Sequence, residues 1–199
     1  MNLQSRLNPP TLLTLLRILT IPVVVFLLYT PEGKEIPLTR SLITFALFVA
    51  ATVTDLFDGY LARRYQMVTV LGKLLDPLAD KLLVCAAMIM LIPPHRVPAW
   101  MVAIVVAREI GVTALRGVAS TEGLVIAASS LGKAKTLLLN IGVAALILHY
   151  PLPVLGIDAH LFGMGFLIGG IALTAWSGID YFFRFVGEIF NKEGGRPFS

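Results

Sequence analysis

Six long apolar runs, separated by short turn-forming segments, constrain the fold of this chain more than any other feature. Each run approaches the roughly 20 residues that an α-helix needs to cross a bilayer. Across the 199 residues, 57% are hydrophobic and only 14% are charged, and a water-soluble domain of this length would need more charged surface. The sequence therefore predicts an all-α integral membrane protein, a bundle of about six transmembrane helices forming a single domain over residues 1–199.

The predicted helices follow the apolar runs. They extend from about Thr11 to Thr30, Ser41 to Phe57, Asp76 to Ile92, Pro98 to Leu115 and Lys135 to Tyr150, and a sixth begins near Leu161 and continues past Asp180 into an amphipathic tail. Segments rich in Gly and Pro separate them, as expected for turns between helices.

The distribution of Lys and Arg predicts the orientation in the membrane. If both termini lie inside, only Lys34, Arg40 and Arg96 fall on the outer side, which leaves 13 of the 16 basic residues inside. Short loops rich in Lys and Arg stay on the cytoplasmic side. We therefore predict a multi-pass protein of the cytoplasmic (inner) cell membrane. The net charge of +4 is not gathered into a docking stripe, so no nucleic-acid partner is predicted.

Two pairs of aspartates carry the chemistry. Asp55 and Asp58 are predicted to end the second helix, and Asp76 and Asp80 to open the third. Spacings of three and four residues place the members of each pair on one helix face, and the short connection makes the two helices antiparallel neighbours. Ionisable groups at membrane depth are costly and usually functional. Four carboxylates are thus expected to converge at the cytoplasmic membrane surface, together with the active site.

Converging carboxylates repel one another unless cations neutralise them. Hard divalent ions such as Mg²⁺, Mn²⁺ or Ca²⁺ prefer such all-oxygen sites, and four carboxylates can hold two ions, as in phosphoryl-transfer enzymes. Gly59 allows a phosphate to approach the backbone, and Arg63 can pair with an anion. A single aspartate at a helix end is more often a cap. Four at this spacing, with Arg63 between the pairs, favour a di-metal site.

The aspartates belong to a longer pattern, Asp55-x2-Asp58-Gly59-x2-Ala62-Arg63-x8-Gly72-x3-Asp76-x3-Asp80. All eight fixed residues and their spacing resemble the signature of the CDP-alcohol phosphotransferase family. Members of that family transfer a substituted phosphate from a CDP-linked donor to an alcohol and release CMP. The resemblance covers nearly the whole chain and implies the same six-helix architecture.

The resemblance also implies roles for individual residues. Two ions, Mg²⁺ or Mn²⁺, would be held by Asp55, Asp58, Asp76 and Asp80 and would bind the donor diphosphate. Asp80 would also be the general base that takes the proton from the attacking hydroxyl. Gly59, Arg63 and Thr69 would lie against the cytidine nucleotide. Asn8 is a further candidate for a donor contact, although helix capping explains it nearly as well.

Weaker motifs bear on the acceptor alcohol. The opening segment 8–17, the segment 107–109 with Arg116, and the segments 132–136 and 176–181 resemble the phosphatidylglycerophosphate synthase subfamily. A phosphorylated acceptor needs a cationic pocket, and its candidate residues are Arg108, Arg116, Lys133 and Lys135. Glu109 could orient one of the arginines. The same basic residues are also explained as ordinary topology markers, with Arg108 paired locally to Glu109.

The predicted function is transfer of the phosphatidyl group from CDP-diacylglycerol to sn-glycerol 3-phosphate, giving phosphatidylglycerol phosphate and CMP in phospholipid biosynthesis. Two alternatives keep this chemistry and change the acceptor to phosphatidylglycerol, as in a cardiolipin synthase, or to inositol phosphate, as in a phosphatidylinositol phosphate synthase. A cation transporter is a distant alternative, because the acidic cluster is confined to one membrane face. The family is often homodimeric, but no interface can be identified from these residues.

Overall fold

A computed structural model describes residues 9–65, 70–121, 131–150 and 158–194; within these ranges the side chains of 9–14, 55–65, 70–78, 80, 131, 133 and 191–194 lie outside the description. The described backbone forms six α-helices and no β-strand. The helices are α1 (Pro9–Leu28), α2 (Leu38–Tyr65), α3 (Val70–Met90), α4 (Ala99–Thr121), α5 (Leu131–Leu148) and α6 (Ala159–Gly194). The predicted all-α class is therefore confirmed for this part of the chain.

Four helices extend by four residues or more beyond the ends that hydropathy predicts: α2, α3, the C-terminal end of α4 and the N-terminal end of α5. α2 continues to Tyr65 instead of ending near Asp58, and α3 begins at Val70 instead of at Asp76. The prediction that the aspartates mark helix ends is therefore wrong, because both pairs lie inside helices. Hydropathy falls where charged residues begin, but Leu, Arg and Lys are good helix formers that continue the hydrogen-bonded backbone beyond the apolar segment.

α5 contacts α2, α3 and α6, and α3 contacts α1, α2, α4 and α5. α1 packs against α2 and α3, and α4 packs against α3 and α6. The contacts bury a continuous apolar core, whose most buried members include Val24, Leu28, Phe48, Leu83, Met88, Val143, Leu146 and Leu167. This arrangement brings α3, α4, α5 and α6 together around one set of charged side chains.

Glycines allow α5 and α6 to pack backbone against backbone. A Cβ atom added to Gly142 would lie only 2.8 Å from the backbone nitrogen of Leu167, and one added to Gly163 would lie 3.0 Å from the carbonyl oxygen of Gly142. Small residues are typical of such close helix contacts in membranes. The close contact fixes the position of α6 relative to α5.

The exterior of the bundle is apolar. Phe26, Leu161 and Trp176 expose 76%, 72% and 65% of their surface, whereas soluble proteins rarely expose large contiguous apolar patches. By length and composition, one helix segment among the described residues, Ala159–Phe190, is sufficient to cross a membrane. Shorter apolar segments are Leu15–Leu28, Leu38–Thr54, Lys81–Met90 and Ala134–Leu148. This exterior suits a hydrocarbon environment better than water.

Arg96, in the loop between α3 and α4, closes one end of the bundle. Its side chain is fully buried, and its Nη1 donates to the carbonyl oxygen of Ile147 at 2.8 Å, near the end of α5. Its Nη2 lies 3.2 Å from Glu35 Oε2, and Tyr150 Oη donates to the carbonyl oxygen of Ile36 at 2.8 Å beside it. These bonds satisfy carbonyl groups that a helix end and a loop would otherwise leave unpaired.

Candidate active site

The four aspartates lie on the α-helical backbone of α2 and α3, which are in contact. Because both segments are helical, spacings of three and four residues place each pair on one face of its helix. The side chains of all four lie outside the description, as do those of Arg63 and Lys133 and the surroundings of Gly59. Thr69 and Asn8 lie outside the described residues altogether. The predicted roles of these residues therefore stay predictions.

The chemistry of the donor set fits divalent ions. Four carboxylates on two contacting helices supply hard oxygen ligands, as Mg²⁺ and Mn²⁺ require. Among the side chains that the structure does describe, no three His, Cys, Asp or Glu residues come close enough to hold a metal ion. The aspartates on α2 and α3 accordingly remain the candidate ligands.

The described part of the site is organised around Glu109 on α4. Its Oε1 accepts a short hydrogen bond from Lys135 Nζ on α5 and a bond of 2.9 Å from Arg108 Nη1. Its Oε2 lies 3.4 Å from Lys81 Nζ on α3. All four side chains are mostly buried, with Lys81 the most exposed at 31%. One carboxylate therefore links cations from three helices.

Arg108 is held from a second side by α6. Its Nη2 donates to Ser177 Oγ at 2.9 Å, and Ser177 Oγ donates in turn to the carbonyl oxygen of Thr174 at 3.1 Å. A Cβ atom added to Gly178 would lie 3.1 Å from Arg108 Cγ. The absence of a side chain at Gly178 thus makes room for the arginine stem against α6. The bonds at both ends fix the guanidinium group in one orientation.

Lys81 is a member of the site that the sequence pattern does not distinguish from the other inner basic residues. Its Nζ donates to Thr113 Oγ1 at 2.7 Å, and Thr113 Oγ1 donates to the carbonyl oxygen of Glu109 at 2.6 Å. Its position directly after Asp80 was the available signal. Thr113 carries no comparable signal, because its partner lies 32 residues away in the sequence.

Of the four cations predicted to bind the acceptor, the structure brings Arg108 and Lys135 together at Glu109. Arg116 lies two turns further along α4, with its guanidinium 5.5 Å from the ring centre of Tyr181 on α6. This cation–π contact orients Arg116 apart from the other two. The predicted pairing of Arg108 with Glu109 is confirmed, and Lys135 shares the same carboxylate.

The charge balance of this cluster has a chemical consequence. We use the term Glu109 cluster for Glu109 with Lys81, Arg108 and Lys135. It holds three cations and one carboxylate, so it carries an excess of two positive charges in a largely buried setting. A phosphate monoester carries a charge of about −1.5 to −2 at neutral pH. Such an anion would balance the cluster.

Comparison with known proteins identifies relatives of this chain. The model of the CDP-alcohol phosphatidyltransferase family matches residues 7–176. The chain is 45% identical to the CDP-diacylglycerol–glycerol-3-phosphate 3-phosphatidyltransferase of Bacillus subtilis over 149 aligned residues. The alignment covers 71% of this chain and 77% of that protein. It is 35% identical to the protein of the same name from Salmonella choleraesuis over 190 aligned residues, and this alignment covers 93% of this chain and 98% of that protein.

A third relative is the probable phosphatidylglycerophosphate synthase of Mycobacterium tuberculosis, which is 35% identical over 182 residues, covering 92% of this chain and 83% of that protein. The residues matched by the family model, 7–176, include both aspartate helices and the helices that form the Glu109 cluster. The chain is therefore an enzyme, a transferase that belongs to the CDP-alcohol phosphatidyltransferase family.

Proposed function

We propose that this protein transfers the phosphatidyl group of CDP-diacylglycerol to the primary hydroxyl of sn-glycerol 3-phosphate, producing phosphatidylglycerol phosphate and CMP. The names of the B. subtilis and S. choleraesuis relatives describe this reaction. The observation in the molecule that carries the proposal is the excess of two positive charges in the Glu109 cluster, because a phosphorylated acceptor needs it and an uncharged alcohol does not.

The acceptor phosphate is proposed to bind at Arg108 and Lys135. Arg108 can present a planar group of N–H donors to phosphate oxygens, and Lys135 adds a compact positive charge. Because Glu109 offsets only one of the three positive charges around it, an excess of two is left for the anion. Arg116 and Lys133, near the same ends of α4 and α5, complete the proposed pocket.

The donor is proposed to bind between α2 and α3, with its acyl chains in the bilayer and its CDP group at the cytoplasmic membrane surface. Gly59, Arg63 and Thr69 would contact the cytidine nucleotide, as would Asn8. The proposed ligands of two Mg²⁺ or Mn²⁺ ions are Asp55, Asp58, Asp76 and Asp80. When bound, such ions would neutralise the diphosphate and stabilise the departing CMP.

Asp80 is proposed as the general base. It takes the proton from the primary hydroxyl of the acceptor as that oxygen forms a bond to the β-phosphorus and the bond from this phosphorus to the CMP oxygen breaks. A carboxylate is a weak base, so its efficiency depends on a hydroxyl held within hydrogen-bonding distance. Fixing the acceptor phosphate at Arg108 and Lys135 limits where that hydroxyl can lie.

We also propose a multi-pass topology in the inner membrane, with both termini and the active site on the cytoplasmic side. The apolar exterior, the apolar segments in five of the helices and the excess of inner Lys and Arg support it. The homodimer that the resemblance allows is proposed as well. The mass of the detergent-solubilised protein tests the homodimer, and cysteine labelling of the loops in intact cells tests the topology.

The decisive experiment is CMP release by the purified protein with CDP-diacylglycerol and Mg²⁺. Parallel reactions contain glycerol 3-phosphate, inositol phosphate, phosphatidylglycerol or no acceptor, and each is repeated with Asp80→Asn. We expect release only with glycerol 3-phosphate, reduced at least about a thousandfold in the variant because the general base and a metal ligand are lost together.

The other outcomes distinguish the alternatives. Release with phosphatidylglycerol or inositol phosphate alone would identify a different acceptor and overturn the proposed substrate while preserving the family chemistry. Protein that moves Mg²⁺ across a sealed vesicle without releasing CMP would instead support the transporter alternative. Chelation with EDTA should abolish release in every active reaction, and added Mg²⁺ or Mn²⁺ should restore it.

A further inference from the structure

Lys81 occupies a position between the two halves of the proposed reaction. It directly follows Asp80 on α3, the helix that carries the proposed base, and its ammonium group reaches across to α4. There it donates to Thr113 Oγ1 at 2.7 Å and lies 3.4 Å from Glu109 Oε2. Lys81 therefore joins the helix of the base to the cluster proposed to hold the acceptor.

Thr113 connects this contact to the backbone of α4. Its hydroxyl donates to the carbonyl oxygen of Glu109 at 2.6 Å, which uses its proton and fixes its lone pairs. With its proton used in this way, the oxygen can only accept a hydrogen bond from the Lys81 ammonium group. A hydrogen bond with a charged donor is stronger and shorter than one between neutral groups. The Lys81–Thr113 bond therefore links α3 to α4 directly.

We propose that Lys81 and Thr113 form a positioning pair that sets the distance between the proposed base on α3 and the acceptor held at α4 and α5. This inference rests on the proposed function of the site, and it assigns neither residue a contact with the substrates. Displacing a reacting group by about 1 Å can reduce a rate by about a hundredfold. One charge-assisted bond between the two helices is enough to control such a displacement.

The test is the substitution Thr113→Val, which removes the acceptor of the Lys81 hydrogen bond and leaves every charge in place. We expect kcat to fall about tenfold, with the KM for glycerol 3-phosphate unchanged within about twofold because Arg108 and Lys135 keep their positions. Thr113→Ser, which retains the hydroxyl, should recover most of the lost kcat. Thr20→Val is the matched control, because Thr20 Oγ1 also donates to a carbonyl four residues earlier, at 2.9 Å in α1.

A double-mutant cycle with Lys81→Met identifies the pair. Lys81→Met should lower kcat and also raise the acceptor KM, because the site loses a positive charge. Adding Thr113→Val to Lys81→Met should reduce kcat no further, since the bond is already absent. Multiplicative losses of kcat would show that the two residues act independently, and would overturn the proposal.

Two further results would also overturn it. An unchanged kcat in Thr113→Val, with a lower thermal stability, would assign the bond a structural role only. A higher KM with unchanged kcat would show that Thr113 acts on acceptor binding. All variants are assayed with the acceptor that the wild type uses. A wild type active with a different alcohol would thus refute the proposed substrate, while the kcat of Thr113→Val would still decide the fate of the positioning pair.

Discussion

Among the described side chains, two buried clusters of charge lie at opposite ends of α5, and they differ in how their charges are balanced. At the end of the helix, Arg96 is fully buried, and carbonyl oxygens of the backbone, including that of Ile147, supply most of its acceptors. Near the start, Lys135 belongs to the Glu109 cluster, where cations outnumber the one carboxylate. Lys135 and Ile147 lie roughly 18 Å apart along α5, since the helix rises 1.5 Å per residue.

The difference shows how a structural charge can be distinguished from one available to a ligand. Both terminal nitrogens of the Arg96 guanidinium donate to groups of the protein, which are backbone carbonyls, the hydroxyl of Ser41 and the carboxylate of Glu35. Among the described residues, the Glu109 cluster has one carboxylate for three cations, and Lys81 is 31% exposed. Both clusters are buried, so burial does not distinguish them, and it is the imbalance between cations and anions that supports the proposed acceptor site at Glu109.

The largest effect is expected for Arg96→Met, which leaves the carbonyl of Ile147 and the hydroxyl of Ser41 without their donor. Each buried unpaired group costs about 1–3 kcal/mol, so we expect the free energy of unfolding to fall by about 3 kcal/mol or more. Denaturant unfolding of the detergent-solubilised protein measures it. Any folded fraction should keep the wild-type KM for the acceptor.

Arg40→Met is the matched control for Arg96→Met. Arg40 Nη2 also donates to backbone carbonyls, those of Phe26 at 2.9 Å and Tyr29 at 2.8 Å, but from a more exposed position. Water can replace it there, so its loss should be below about 1 kcal/mol. Equal losses in the two variants would contradict the structural role that burial gives to Arg96.

The next largest effect is expected for Lys135→Met, and it should be of the opposite kind. Losing a charge-assisted contact to phosphate costs about 1.5–3 kcal/mol, which corresponds to a rise in the acceptor KM of roughly ten- to a hundredfold. Stability should change little, because Glu109 keeps Arg108 and Lys81 as partners. CMP release at varied glycerol 3-phosphate gives the KM. A stability loss as large as that of Arg96→Met would remove the distinction between the two clusters.

The helices and their order could be predicted from the sequence because long apolar runs determine both. The ends of α2 and α3 could not, since the backbone beyond Asp58 and before Asp76 stays helical after hydropathy has fallen. The role of Arg96 was also hidden. It was expected as an outer basic residue, but its partners at Glu35 and Ile147 are brought to it only by the packing of three distant segments.

The candidate site divides in the same way. Arg108 and Lys135 could be predicted as a cationic set because hydropathy places both towards the predicted inner ends of consecutive helices. That a single carboxylate, Glu109, holds both could not be predicted, because the contact of Lys135 with it spans 26 residues. The link from Lys81 to Thr113 depends in the same way on how α3 packs against α4. Periodicity assigns a residue to a helix face, but only packing determines which faces meet.

A smaller effect is expected for Gly178→Ala, which tests how closely the Glu109 cluster is positioned. The new Cβ atom would lie 3.1 Å from Arg108 Cγ and displace the arginine stem by a few tenths of an ångström. We expect a roughly threefold to tenfold rise in the acceptor KM, with little change in stability. Gly187→Ala, on the same helix with nothing within 4 Å of the new atom, is the matched control and should leave the KM unchanged.

The smallest effect concerns pH and the cluster around Arg96. Burial lowers the pKa of His149, and the positive charges of Arg96 and His160 lower it further. The carboxylate of Glu35, 3.9 Å away, and that of Asp158 raise this pKa, but by less. The unfolded chain therefore binds a proton at His149 more readily than the folded protein does. Stability should fall as the pH drops below about 6.5, the ordinary value for histidine.

Substitution by asparagine isolates this contribution. His149 has a φ of 59°, and asparagine tolerates such a conformation better than most residues. His149→Asn should lose less stability than the wild type between pH 7.5 and 5.5, by about 1 kcal/mol or less. His95→Asn is the control, because His95 has a similar φ of 57° but is exposed. The acceptor KM should keep the same pH dependence in both variants, because His149 lies at the end of α5 opposite the proposed acceptor site. A pH-dependent shift in KM that follows His149 would instead couple the two clusters and end the separation of roles between them.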